Sequence, residues 1–278
     1  MRLTAQQVTQ AINQAEFTLH YQPISSRSTG EIIALEALVR WQSPLHGQVP
    51  PIKLIKIIED SPTLNARFHR WLLTKCFSQI IEWQKQGIFY PVFLNFSVRY
   101  LERPDCFDVV RSLLTQYHIN PKAIGIEVTE SQPVVDLAAV QFSLTRLQQL
   151  GIDISLDDFC TAHCTLEYLT DLPHNTIKID RKFVQNLTHP EDQYRYRNTI
   201  IVESILEIAF KLGKKVIAEG VESHKQLEAV TFMGCDAYQG YLLCPPLPVE
   251  ILTGILLKNL NYQTKANFFP TDVQLVPA

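Results

Sequence analysis

Short apolar runs, each broken by an acidic or amide residue, recur along this chain and restrict it to few folds. Ile32-Ile33-Ala34-Leu35 meets Glu36, Val92-Phe93-Leu94 meets Asn95, and Ile124-Gly125-Ile126 meets Glu127. Ile152-Asp153-Ile154-Ser155-Leu156 meets the pair Asp157-Asp158, and Thr176-Ile177-Lys178-Ile179 meets Asp180. Lys215-Val216-Ile217-Ala218 meets Glu219, and Ala237-Tyr238 meets Gln239. A strand buried on both faces reads as a continuous apolar run, and a barrel enzyme gathers polar side chains from the carboxyl ends of many strands. The pattern predicts strands ending at these residues, with at least five carboxylates on one rim. Carboxylates crowded that closely repel one another unless cations lie among them, so the rim predicts bound divalent metal.

A further strand pattern, Phe17 to Ile24, precedes these runs, and only Ser25 to Gly30 separates it from the next one. That is a hairpin-length connection, whereas parallel neighbours need a crossover of about a dozen residues. The first strand should therefore run antiparallel to the second. Helical periodicity fills other gaps, notably Asn65 to Trp83, Asp105 to Tyr117, Leu137 to Leu150, Tyr194 to Leu212 and His224 to Met233. Gly87, Gly151 and Gly213 stand where helices should stop. These elements predict an α/β fold, a TIM-like (β/α)8 barrel with the first strand antiparallel. The 278 residues suit one such barrel or two ordinary domains. With no linker-like stretch inside, we expect a single barrel domain over residues 3–260 and a tail over 261–278.

The net charge of −3 gives no basic footprint for duplex nucleic acid. A small anionic ligand stays compatible, since local cations outweigh a mild overall charge. No basic-then-apolar leader is seen, and no apolar stretch reaches the ~18 residues a membrane span needs. The six cysteines are scattered without CxxC spacing, as expected of free thiols in a reducing compartment. A cytoplasmic protein bound to neither membrane nor duplex is expected.

A lone acidic residue at a strand end is usually a cap or a rim salt bridge, but the coordinated set argues against that reading here. Glu36, Asn95, Glu127 and Asp157 supply hard oxygen ligands of the kind Mg²⁺, Mn²⁺ or Ca²⁺ prefers. The adjacent pair Asp157-Asp158 suits two ions or a water held on one. A two-His helical motif is missing, which argues against zinc. Lys178, flanked by Ile177 and Ile179, should point into the barrel top among the carboxylates. Arg40 suits a bidentate phosphate contact and, equally well, a surface ion pair.

Taken in order, Glu36-Ala37-Leu38, Asn95-Phe96-Ser97, Glu127-Val128-Thr129-Glu130, Asp157-Asp158-Phe159, Lys178-Ile179-Asp180, Glu219-Gly220-Val221-Glu222 and Gln239-Gly240-Tyr241 resemble the signature motifs of EAL domains. These are the cyclic di-GMP phosphodiesterases of bacterial second-messenger signalling. Tyr21-Gln22-Pro23-Ile24 resembles the family's first strand, and the resemblance spans nearly the whole chain. It implies hydrolysis of cyclic di-GMP to linear pGpG by a metal-activated water. It implies that Glu36, Asn95, Glu127 and Asp157 ligate one Mg²⁺ or Mn²⁺, with Asp157 and Asp158 serving a second. Lys178 would orient or deprotonate the water, Glu219 would complete the metal and water network, and Glu130 would brace the loop after the aspartate pair. Lys178, Glu219, Asp158 and Glu130 are thus the implied catalytic set. Gln22, Arg40, Gln239 and Glu222 are the implied substrate contacts, Arg40 at a phosphate. The implied partners are cyclic di-GMP and a second copy of the chain in a homodimer, with room for a regulatory protein.

The chain departs from the family pattern at Phe159-Cys160-Thr161-Ala162-His163-Cys164-Thr165-Leu166, where Phe-Gly-Thr-Gly-Tyr-Ser-Ser-Leu is usual. Both glycines are lost, and glycine matters where a loop needs φ > 0 or close approach. Cys244-Pro245-Pro246 stands where an Arg-Pro pair is common. These departures keep a second reading open, a weak or inactive EAL domain acting as a cyclic di-GMP receptor or protein-interaction regulator.

Overall fold

The computed structural model describes residues 3–129, 133–159 and 166–262. Helix α1 (Ala5–Asn13) leads into strands β1 (Phe17–Ser26), β2 (Ile32–Ser43) and β3 (Gly47–Val49), then helices α2 (Pro51–Glu59) and α3 (Pro62–Lys85). Next come β4 (Val92–Ser97), α4 (Val98–Leu101), α5 (Cys106–Tyr117), β5 (Ile124–Thr129), α6 (Leu137–Gln149) and β6 (Asp153–Phe159). The chain continues through α7 (Leu166–Asp171), β7 (Thr176–Ile179), α8 (Arg181–Asn186), α9 (Asp192–Lys211) and β8 (Lys215–Ala218). It closes with α10 (His224–Met233), β9 (Ala237–Tyr238), β10 (Leu247–Pro248) and α11 (Val249–Tyr262). Helix α11 thus runs two residues into the segment expected as tail, and residues 263–278 lie outside the described residues.

Strands β2, β4, β5, β6, β7, β8 and β9 pair in parallel, in that order. Strand β1 closes the ring and is antiparallel to both β2 and β9, as the short connection predicted. A tight hairpin can only reverse the chain, so the direction of β1 follows from the length of its loop.

One expectation needs correction. Glu36 does not end its strand, because β2 continues to Ser43. Beyond Ala37, β2 leaves its parallel partner β4 but stays paired with β1, through Leu19↔Val39 and Phe17↔Trp41, and with β3 through Trp41↔Val49. Those antiparallel neighbours satisfy its backbone past the rim, so the strand has no reason to stop. Asn95 and Glu127 likewise each precede the last residue of their strand by two.

Strand alternation builds the site. Successive residues face opposite sides, so Leu35, Leu94, Ile126, Leu156 and Ile177 join the large core under the helices. Glu36, Asn95, Glu127, Asp157 and Lys178 then face inward. Below them, Ile24, Ala34, Phe93, Ile217 and Ala237 form a separate apolar cluster that floors the barrel. Gly125 makes room for this floor, since a Cβ there would lie 2.4 Å from the Phe93 ring.

The helices form where amphipathic spacing and caps agree. In α3, Ser61 accepts from the Leu64 N–H and Pro62 opens the first turn, so the helix starts before Asn65. Leu64, Phe68, Leu72, Cys76, Ile80 and Trp83 are its buried stripe. Gly87, Gly151 and Gly213 take φ values of +78°, +98° and +65° just past α3, α6 and α9, the helix stops read from the sequence. Among the described residues no helix is long and apolar enough to cross a membrane.

Candidate active site

Lys178 is the centre of the inward polar layer. Its Nζ lies 2.5 Å from Glu219 Oε1, 2.9 Å from Glu127 Oε2, 3.3 Å from Asp157 Oδ1 and 3.6 Å from Glu36 Oε2. Glu36 is further held by Asn95, whose Nδ2 donates to Oε1 at 2.8 Å, and by Gln239, whose Nε2 donates to Oε2 at 2.7 Å. Gln239 Nε2 also donates to Gln22 Oε1 at 3.0 Å, and Gln22 Nε2 donates to the Cys244 carbonyl at 2.9 Å. Two glutamines therefore tie the loop after β9 to Glu36. Glu219 and Gln239 follow the last residues of β8 and β9, and their N–H groups continue the ladder to Ile179 and Ala218. The loop can close there because Gly240 has no Cβ, which would lie 2.1 Å from the Val221 carbonyl oxygen.

The adjacent acids on β6 need a special backbone. In a regular strand Asp157 and Asp158 would face opposite sides. The register against β7 shifts between Leu156 and Phe159, and Asp158 takes φ +48°. This bulge lets ligand atoms of Asp157, Asp158 and Glu219 lie within 4.8 Å of one another. Asp is among the residues that tolerate a positive φ best.

The charges are strongly perturbed. Burial opposes the charge on Lys178, yet Asp157, Glu127, Glu219 and Glu36 together hold its ammonium well above the usual lysine value. Burial would raise Glu36 too, but Lys178 and the hydrogen bonds from Asn95 and Gln239 hold it below its usual value. Burial lifts Glu127 well above the carboxylate range, with Glu36 pushing the same way against Lys178. Glu219 is lifted well above it by burial, despite Lys178, with Asp157 and Glu36 adding. Burial also raises Asp157 against the pull of Lys178. Asp158 is pushed up to about 7 by burial, by Asp157 and by a hydrogen bond with Asp180. Lys178 and the two amide donors thus favour the charged form of Glu36, while burial disfavours charge on Glu127 and Glu219.

The donor set fits hard divalent cations. Among the described residues, no hydrogen-bond donor apart from the Lys178 ammonium reaches either oxygen of Glu127 or Oδ1 of Asp157, although all three atoms are buried. Orphaned buried carboxylate oxygens cost free energy that a cation between them removes. A cavity of about 300 Å³ opens beside the layer, with Glu36, Asn95, Asp157 and Asp158 on one side. Ile55, Ile58, Phe68 and Leu72 form an apolar wall opposite. Arg40 borders the same cavity, and its Nη1 donates to the Val39 carbonyl at 2.8 Å. Burial lowers its pKa from the usual arginine value.

Most of the residues singled out from the sequence thus converge. Glu36, Asn95, Glu127, Asp157, Lys178, Glu219, Gln22 and Gln239 share one layer, with Asp158 and Arg40 at its cavity side. Glu222 stands apart from the layer, paired with Arg181 at 2.7 Å. Glu130 and the divergent Cys160 to Thr165 loop lie outside the described residues. Sequence reasoning passed over Asp180 as a site residue. It contacts Asp158 and caps α8 through the Lys182 N–H, and its place after a strand run was the available signal.

The family model for the EAL domain matches residues 5–246. The bifunctional diguanylate cyclase/cyclic di-GMP phosphodiesterase MucR of Pseudomonas aeruginosa is 34% identical over 244 residues, covering 87% of this chain and 35% of MucR. The cyclic di-GMP phosphodiesterase PdeR of Escherichia coli is 34% identical over 240 residues, covering 86% of this chain and 35% of PdeR. The solved structure of the MucR phosphodiesterase in complex with cyclic di-GMP superposes with a TM-score of 0.80 at 33% identity. That match covers 89% of this chain and 98% of the other. The chain spans about a third of the length of the curated relatives it matches.

Proposed function

The chain belongs to the EAL domain family, and on that premise we propose that it hydrolyses cyclic di-GMP to linear pGpG. The observation that carries this reading is a layer of buried carboxylates in which both oxygens of Glu127 and Oδ1 of Asp157 find no donor among the described residues but Lys178, set beside a cavity with an apolar wall. Glu36, Asn95, Glu127 and Asp157 would hold one Mg²⁺ or Mn²⁺, and Asp157 with Asp158 and Glu219 a second. Ions bound there supply counter-charge for a phosphodiester and make water acidic enough to attack at neutral pH.

The rest falls to the chain's own side chains. A charged ammonium has no lone pair, so Lys178 acts as a donor that orients water and opposes phosphate charge rather than as a base. Gln239 Oε1 is buried without a donor among the described residues and is suited to accept from that water. Arg40 has no carboxylate ion pair among the described residues and presents a guanidinium to a substrate phosphate. In-line attack forms the bond from water oxygen to phosphorus as the P–O bond to the 3′ ribose oxygen breaks, leaving a 5′ phosphate on pGpG. The roles of Glu130 as a loop brace and of Glu222 as a substrate contact rest on the family resemblance, as do a homodimer and a regulatory protein partner. We place the unit, as one barrel domain over residues 3–260, in the cytoplasm. The free thiols of Cys76, Cys106, Cys235 and Cys244 support that placement.

The test is incubation of the purified chain with cyclic di-GMP and Mn²⁺, with chromatographic detection of pGpG. Turnover that stops on chelation supports the reading. Binding of cyclic di-GMP without product over a full Mn²⁺ titration would replace it with the receptor reading.

A further inference from the structure

Just outside the polar layer, the start of α3 is bound to the segment that follows Asn95 by a small set of buried polar groups. Asn65, His69 and Ser97 are 1%, 2% and 5% exposed. His69 Nδ1 lies 3.0 Å from the Asn65 carbonyl, and the Ser97 N–H points to His69 Nε2 at 3.5 Å. A carbonyl can only accept, so Nδ1 carries the proton and Nε2 is left with the lone pair that the Ser97 N–H needs. The Asn65 carboxamide donates to Ser97 Oγ at 3.1 Å, and the same hydroxyl caps α4 by accepting from the Tyr100 N–H. The imidazole stacks on Tyr100 with ring centroids 4.0 Å apart and meets Phe96 edge-on at 5.3 Å. Its ring also borders the cavity shared with Glu36 and Asn95.

Deepening the reading above and resting on it, we propose that His69 is a positioning residue, which fixes the backbone after β4 and thereby the carboxamide that Asn95 presents to a divalent ion. Asn95 stands two residues before the N–H that His69 accepts. Its carboxamide has to reach Glu36 and an ion at once, so a small rotation of Ser97 misplaces it. A stacked imidazole with one nitrogen donating and the other accepting allows a single orientation, which an apolar ring of the same shape does not enforce. Both ring nitrogens of His69 are partnered, although Asn65 Oδ1 and the Tyr100 hydroxyl of the same set have no partner among the described residues. A buried polar group held at both ends acts as a rigid spacer between elements.

The test measures Mn²⁺ binding to the protein without substrate, from the electron paramagnetic resonance of free Mn²⁺, together with kcat and KM for cyclic di-GMP at saturating Mn²⁺. His69→Phe keeps the stacking on Tyr100 and loses both nitrogens. It should weaken Mn²⁺ binding about tenfold, as loss of groups that orient ligands does, while kcat at saturating Mn²⁺ falls by much less than the affinity. His69→Gln places an acceptor near the position of Nε2 and should recover most of the affinity. If His69→Phe fails to fold, His69→Asn replaces it, because its shorter amide keeps the bond to the Asn65 carbonyl but cannot reach Ser97. Mn²⁺ affinity unchanged in the phenylalanine or asparagine variant, or lost equally in the glutamine variant, overturns the proposal. A parent protein that binds Mn²⁺ yet makes no pGpG removes the phosphodiesterase reading and leaves this comparison intact.

Discussion

Replacing Lys178 with methionine keeps the length and apolar stem of the side chain and removes only its charge. That charge faces four carboxyl groups at 2.5–3.6 Å. At an effective dielectric of ~20 each pair in which the carboxylate is ionised is worth about 5–7 kcal/mol of attraction, partly cancelled by desolvation of both charges. The lysine side chain is 1% exposed, so solvent screening does not soften the loss. Removing one partner of a buried ion pair typically costs about 3–5 kcal/mol. The structure limits the damage in one way, since Glu127 and Glu219 already draw protons through burial. Without Lys178 more protons follow, and the folded state binds more protons than the unfolded chain. Its stability must then fall as pH rises above the ordinary carboxylate range. We expect Lys178→Met to melt lower than the parent near neutral pH by on the order of 10 °C, and to recover part of that loss on acidification. We further expect Mn²⁺ to raise its melting temperature more than the parent's, because the ion replaces the missing counter-charge and binding is linked to stability. The assay is thermal unfolding with and without Mn²⁺ at several pH values. A variant that melts with the parent in chelator, or that gains no more from Mn²⁺, would refute the reasoning that Lys178 is the internal counter-ion.

Glu36→Ala should abolish pGpG formation while keeping a folded circular dichroism spectrum but melting lower than the parent, since it removes a ligand and leaves the Asn95 and Gln239 donors and part of the Lys178 charge unpartnered. An unfolded variant whose residual folded fraction is fully active would make Glu36 structural. His69 has a pKa lowered by burial to about 4 from 6.5 in the unfolded chain. The unfolded state therefore binds the extra proton between those values, and stability drops as pH falls through that window. From pH 7 to pH 5 the loss should be about 2 kcal/mol, read from urea unfolding, and His69→Phe should lack that part of the pH dependence. Gly125→Ala would drive a methyl into the Phe93 ring and should cost about 1–3 kcal/mol or more, with Phe93→Leu in the same chain recovering part. A neutral Gly125→Ala would mean that the floor beneath the carboxylates has slack.

The barrel was legible because its signals are local. A short run such as Ile124-Gly125-Ile126, halted by Glu127 and repeated at spaced intervals, fits a buried strand, and the six residues from Ser25 to Gly30 are too few for a parallel crossover. Lys178 between two isoleucines announced an inward charge for the same reason, since period-two alternation turns it away from both neighbours. The end of β2 was not legible, because Leu38-Val39-Arg40-Trp41 fits a strand only if β1 and β3 are there to pair with it. The bulge that turns Asp158 toward Asp157 and Glu219 depends on a register shift against β7, which no local pattern reports. Asp180 and His69 were missed for a related reason. Each acts through a contact with another element, Asp158 on β6 and Ser97 at the end of β4, and contacts over such separations leave no periodic trace in the chain.

The most direct test of the central claim, that this carboxylate layer activates water against a phosphodiester, is hydrolysis of cyclic di-GMP with Mn²⁺ in ¹⁸O-labelled water, read by mass spectrometry of the product. The account predicts linear pGpG with one ¹⁸O on its 5′ phosphate and no product in chelator or from Glu36→Ala. Recovery of unchanged cyclic dinucleotide bound to the folded, metal-loaded protein, or a linear product without the label, would contradict it.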